Sequence, residues 1–222
     1  MEGESCKNSR GRHAALYVRG MKQFFAEKRP HQGLTYEEYV EQWKARTELP
    51  VAGLDKVQRK LYHYARYNLE RSERVSREYV PSERVLHAVE EIDEPQIWMV
   101  ITEDWCGDSA FNLPVIAAVA ARNPHVDLRI LPRDANLDIM DQYLTENARS
   151  IPKLVAFTSD GEELFTWGPR PEQARQLRLR MKEAGADSKE MTDALIAWYD
   201  AGGWKLVDEE LAAALETVAY AR

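Results

Sequence analysis

Along the first 94 residues apolar side chains recur at helical spacing. Tyr17, Met21, Phe24 and Phe25 share one face of a helix predicted over 14–28, and Pro30 stops that run. Thr35-Tyr36-Glu37-Glu38 reads as a capping box and opens a helix carrying Tyr39, Val40 and Trp43. Asp55-Lys56-Val57-Gln58 is a second such box. It opens a longer helix with Val57, Leu61, Tyr64, Ala65 and Leu69 on one stripe, and these tyrosines are expected to be packing residues. Pro81-Ser82 starts a short helix that ends near Ile92.

The pattern then changes. "QIWMVI" (96–101) is a short apolar run suited to a buried strand, and "VDLRIL" (126–131) predicts a second. Helices are predicted over 110–122 and near 137–146. "KLVAFT" (153–158) and "EELFTW" (162–167) are joined by Ser159-Asp160-Gly161, a hairpin signal. Pro171 opens a helix closing near Gly185, and two more helical stretches follow at about 188–200 and 208–220. The resulting order, β-α-β-α-β-β-α, begins parallel and ends antiparallel.

The chain has 222 residues and a formal charge of −7, which argues against nucleic acid or an anionic membrane as its main partner. No apolar run reaches the ~20 residues of a membrane span. The first residues, "MEGESCKNSRGRH", lack the apolar centre of a secretory signal, so a cytoplasmic location is expected. The two cysteines, Cys6 and Cys106, make no disulfide framework. The five histidines form no ligand-spaced cluster, and neither a metal site nor a cofactor is expected.

The chemistry concentrates in "EDWCGDS" (103–109), where a Trp-Cys-Gly start promises disulfide exchange but the position three residues after Cys106 is Ser109. Trp105-Cys106-Gly107 follows the first predicted strand, and Pro114 stands eight residues after Cys106. Ser150-Ile151-Pro152 precedes the third strand, and Gly168 follows the fourth. In these residues and their order the chain resembles the thioredoxin family over roughly 95–185. With "ITEDWCGDSAFNLPVI", "LPRDANLDIMDQYL", "RSIPKL" and "WGPRP" it is similar to a bacterial thioredoxin-like subfamily with a helical N-terminal extension.

The resemblance implies an α/β thioredoxin fold with a central mixed sheet. Residues 1–94 would be a helical extension, 95–185 the core, and 186–222 a helical segment packed on it. It implies a cis-proline at Pro152 and a substrate groove shaped by Trp105, Gly107, Asp108, Ile151, Pro152 and Gly168. Two departures stand out: Ser109 replaces the resolving cysteine, and Val100 replaces a buried acid six residues before the nucleophile.

One thiol still attacks a disulfide to give a mixed disulfide. Cys106 at a helix start would be favoured as thiolate by free N–H groups and by a Ser109 hydrogen bond, opposed by Asp108, for a net modest depression of its pKa. Arg133, Arg149 and Arg170 would collect near the thiol to hold carboxylates. The expected activity is monothiol exchange through Cys106 and Ser109 on a disulfide-containing or glutathionylated protein, resolved by an outside small thiol such as glutathione. The alternatives are a redox-inactive binding module using the same groove, and a peroxide sensor at Cys106, although the peroxidase-type threonine is absent, with Glu103 in its place. Cys6, in a polar tail, has no expected role beyond that of an exposed thiol.

Overall fold

A computed structural model describes residues 21–221. Tyr17 and Cys6 lie outside the described residues. Nine helices among the described residues are numbered in chain order. The first four are α1 (Gln23–Ala26), α2 (Tyr36–Glu48), α3 (Lys56–Glu78) and α4 (Glu83–Glu90). Strand β1 (Gln96–Thr102), α5 (Gly107–Ala120), β2 (Val126–Pro132), the single turn α6 (Leu137–Met140), β3 (Lys153–Thr158), β4 (Glu163–Trp167) and α7 (Glu172–Glu183) follow. The chain closes with α8 (Ser188–Asp200) and α9 (Leu206–Tyr220).

The sheet order is β2-β1-β3-β4. Strand β1 is parallel to β2 and antiparallel to β3, and β3 is antiparallel to β4, which is the expected parallel-then-antiparallel topology. Every residue of β1 is buried. Its pleat sends Trp98 and Val100 into a large core shared with α3, α4, α5 and α9. Ile97, Met99 and Ile101 point into a smaller core with Phe24, Phe25, Ile139, Met140 and Tyr143. The open edge of β2 is covered by Leu34, whose backbone exchanges hydrogen bonds with Ile130 at 2.9 and 2.8 Å.

The helix starts follow local chemistry. Thr35 and Asp55 make complete capping boxes with Glu38 and Gln58, each satisfying two otherwise orphaned N–H groups. Three expectations are corrected. Among the described residues the helix predicted over 14–28 is the single turn Gln23–Ala26, after an extended Lys22; Lys28 lies in the left-handed region (φ 57°), and Pro30 starts a short 3-10 turn. The helix predicted near 137–146 is one turn long, ending at Met140, and the stretch after it runs to a tight turn between Thr145 and Ala148 in which Glu146 and Asn147 have positive φ (52° and 62°).

The third correction concerns α3, whose stripe is rotated. Val57 and Tyr64 are exposed, whereas the buried face is Tyr62, Ala65, Asn68, Ser72 and Val75. Two polar residues occupy that face, so an apolar count alone mislocates it. Asn68 is there to bind backbone, donating to the Asp104 carbonyl at 3.1 Å.

One buried carboxylate ties the start of α9 to the segment before α4. Asp208, 5% exposed at the start of α9, accepts from Tyr79 Oη at 2.6 Å, from Ser82 N at 3.0 Å and from the Ser82 hydroxyl. Ser82 in turn caps α4 by accepting from Val85 N. Nearby, Phe111 of α5 stacks on Tyr199 of α8 (4.5 Å between centroids, 5° between planes), with Arg71 and Arg74 over the ring. Asp208→Ala removes the acceptor of three donors at once. It should lower unfolding free energy in urea by about 3 kcal/mol, and Asp208→Asn by less because one oxygen remains.

Candidate functional site

The site forms where β1 ends. Glu103-Asp104-Trp105 leads from Thr102 to Cys106, the N-cap of α5, and Cys106 N–H donates to Glu103 O at 3.1 Å. This loop is held from two sides. The buried Asp104 carboxylate accepts from Arg46 Nη1 of α2 with both oxygens at 2.7 Å, and its carbonyl is bound by Asn68 of α3. On the other side Glu103 accepts from Asp134 N at 2.8 Å, and the Arg133 guanidinium lies 4.8 Å from the Trp105 ring centroid.

Opposite the thiol stands the turn before β3. The Ile151–Pro152 peptide bond is cis, and Cys106 Sγ–H donates to Ile151 O at 3.3 Å. Gly168 closes the far wall with φ 109°. A Cβ there would sit 2.2 Å from Pro152 O, so only glycine permits this approach. Gly168–Pro169 is cis as well, and Asn112 of α5 donates to Pro169 O at 3.2 Å. Asp108, two residues after the thiol in the first turn of α5, is ion-paired with Arg170 and accepts from Tyr199 Oη at 2.9 Å.

The thiol is not activated in this state. Its pKa is pushed up to about 11, first by burial and then by the Asp108 charge. The Ser109 hydroxyl and the N–H groups of Ser109 and Asp108 pull the other way and lose. This corrects the expected modest depression. The helix start was weighed there without the cost of removing water from the sulfur, which packs against the smaller core.

Cys106 meets the cis Ile151–Pro152 turn, and Gly168 packs against Pro152 O; Trp105, Gly107, Asp108 and the buried Ser109 flank the thiol along the chain. The three arginines are each ion-paired: Arg133 with Asp134, Arg149 with Asp141 and Arg170 with Asp108. Only the charge of Arg170 acts on the thiol. Val100 is fully buried in apolar surroundings. Residues not expected at the site are Arg46, Asn68, Thr102, Asn112 and Tyr199. A signal existed for one of them, since Asn112 interrupts an apolar helix.

A family model described as Thioredoxin matches residues 55–186, a span that begins with α3. No curated protein matches the chain. Among solved structures, the crystal structure of an HIV epitope-scaffold is similar in fold, with a TM-score of 0.52 at 17% identity, covering 83% of this chain and 93% of that one. A protein of unknown function from Pseudomonas aeruginosa gives a TM-score of 0.49 at 17% identity, covering 83% of this chain and 98% of its own.

Alkylation of a Cys6→Ser variant, which leaves Cys106 as the sole thiol, should show a pH inflection close to 11. Asp108→Asn should lower that inflection, because it removes the opposing charge and frees the Arg170 cation to favour the thiolate. An inflection at the ordinary ~8.5 would mean that burial does not govern the sulfur.

Proposed function

The chain belongs to the thioredoxin-like family, and on that footing we propose that Cys106 performs one-thiol disulfide exchange and holds the resulting mixed disulfide. The observation that carries the reading is a lone thiol at the N-cap of α5, facing the Ile151–Pro152 turn, with a serine where a second thiol would resolve it. The Cys106 thiolate attacks one sulfur of R–S–S–R′. A Cys106–S–S–R bond forms, R′–S⁻ leaves, and the thiol proton goes to solvent. An outside thiolate reverses the step. The fitting substrates are disulfide-containing or glutathionylated proteins, with a small thiol such as glutathione as reductant.

The raised thiol pKa sets the tempo. With a value of about 11, about one thiol in ten thousand is ionised at pH 7. Attack is therefore slow. Cys106 is also a poor leaving group, since departure slows as the leaving thiol's pKa rises. Both effects favour a persistent adduct over fast turnover. The same two facts, with the Sγ–H bond to Ile151 O, favour one other reading: a groove that holds a partner without redox chemistry.

Intact mass separates them. Folded Cys6→Ser protein held with oxidised glutathione at pH 9 should gain one glutathione over hours. Cys6→Ser/Cys106→Ser should gain none, and reduced glutathione should remove the adduct slowly. If the folded protein stays unmodified while urea-unfolded protein takes the adduct, the binding module is the correct reading.

A further inference from the structure

Between Leu49 and Tyr67 apolar and basic side chains are left open to solvent together. Eight large apolar side chains are exposed among the described residues, and five of them stand here: Leu49, Val51, Val57, Tyr64 and Tyr67. The same segment carries Lys56, Arg59, Lys60 and Arg66 against one acid, Asp55, in a chain of net charge −7. Among the described residues none of these four cations makes an ion pair. Asp55 is spent on capping α3, where it accepts from Gln58 N at 2.8 Å. Arg59 donates to Leu54 O at 3.1 Å, and Lys60 lies 5.5 Å from the centroid of the Tyr64 ring. Farther along α3 the cations have partners: Arg74 pairs with Asp200, and Arg71 donates to Asn68 Oδ1 at 3.0 Å.

These groups form a strip on the outer side of α3. Lys56, Lys60, His63 and Tyr67 recur at helical spacing opposite the buried face of Tyr62, Ala65, Asn68, Ser72 and Val75. With Arg59 and Tyr64 they line a depression of about 440 Å³. The strip is braced from behind: Trp43 Nε1 of α2 donates to Ala65 O at 2.9 Å, and Tyr62 Oη donates to Thr47 O at 2.6 Å. A surface already fixed in this way loses little further freedom when something binds to it. From Lys56 to Tyr67 the helical rise makes a strip of about 17 Å, the span of about five residues of extended peptide. One end reaches the thiol loop, since Asn68, the residue after Tyr67, donates to the Asp104 carbonyl at 3.1 Å.

We propose that this strip docks a short acidic segment of the protein substrate, with carboxylates on Lys56, Arg59 and Lys60 and an apolar side chain against Tyr64 and Tyr67. Charge complementarity selects the acids, and the exposed rings and aliphatic side chains select the apolar residue between them. A long polyanion would be repelled along its length by a chain of net charge −7. A short segment meets only the strip, because at physiological salt charges beyond a Debye length of about 8 Å are screened. A segment seated there brings the residues that follow it to the Cys106 loop. That last link rests on Cys106 being the reacting thiol; the docking itself does not.

The test uses the full chain and a fluorescein-labelled eight-residue peptide of Glu alternating with Leu and Phe. Its counterpart with Gln for Glu, an eight-nucleotide oligothymidylate and phosphatidylserine-containing vesicles are the rival ligands. At 150 mM salt the acidic peptide should bind saturably, and the Gln peptide about tenfold more weakly. Lys56→Glu/Lys60→Glu should weaken the acidic peptide about tenfold and Tyr64→Ala/Tyr67→Ala about fivefold. All four residues are exposed, so the urea midpoints should hold, and Lys56→Glu puts an acid in the first turn of α3, where it is favourable. Arg180→Glu/Lys182→Glu, the same charge change on the exposed side of α7, should leave binding as it was. Four results would each overturn the proposal: no binding, equal binding of the Gln peptide, equal loss in the α7 pair, or tighter binding of the oligonucleotide or vesicles that the α3 pair abolishes. For the link to the thiol, each peptide carries an added cysteine in a mixed disulfide with glutathione, and intact mass follows adduct formation on Cys106 in the Cys6→Ser protein at pH 9. The acidic peptide should react about tenfold faster than the Gln peptide, and the α3 pair should remove the difference. Docking without that gain in rate removes the exchange reading and leaves the docking face standing.

Discussion

Strand β1 has no exposed face, and most of the architecture answers that constraint. It is hydrogen-bonded on both edges and buried at all seven positions, so each of its two faces needs its own cover. One face is closed by α3, α4, α5 and α9 and the other by Phe24 and Phe25 with the residues around α6. A four-stranded sheet with a single helical layer would leave Met99 or Trp98 in water. The helices flanking the core in sequence are therefore part of the solution to burying one strand. The same strand delivers the loop that ends in Cys106, so whatever fixes β1 also fixes the thiol.

Much of this was legible in the residues. The two capping boxes named the starts of α2 and α3, because a cap is a local bargain between three or four neighbouring residues. Gly168 stood out in the sequence, and the 2.2 Å approach of Pro152 O explains why its position takes no side chain. The rotation of α3 was not legible. Asn68 and Ser72 look like solvent-facing residues until the Asp104 carbonyl, far away in sequence, gives Asn68 a reason to be inside. The thiol's environment was half legible. Helix start, serine and Asp108 are all written in "CGDS", but the burial that outweighs them is a property of the assembled structure.

The chemistry of the site is one of charges already spent. Arg46 is held by Asp104, Arg170 by Asp108 and Arg133 by Asp134. Such pairing lends order to the loop around Cys106 more than it lends reactivity, because a guanidinium shared with a carboxylate does little for a neighbouring thiolate. What favours the thiolate from close by is neutral, two N–H groups and a serine hydroxyl, and burial and the Asp108 charge outweigh it. A thiol treated in this way keeps its proton.

Asp208 joins residues separated by 126 and 129 positions. During synthesis, Ser82 and Tyr79 leave the ribosome long before their acceptor exists. Val85 and Val89 of α4 likewise wait for Leu211 and Leu215 of α9 to complete their core. Contacts this distant in sequence close late and slow folding. Until α9 is made, the nascent chain carries the apolar face of α4 without its cover.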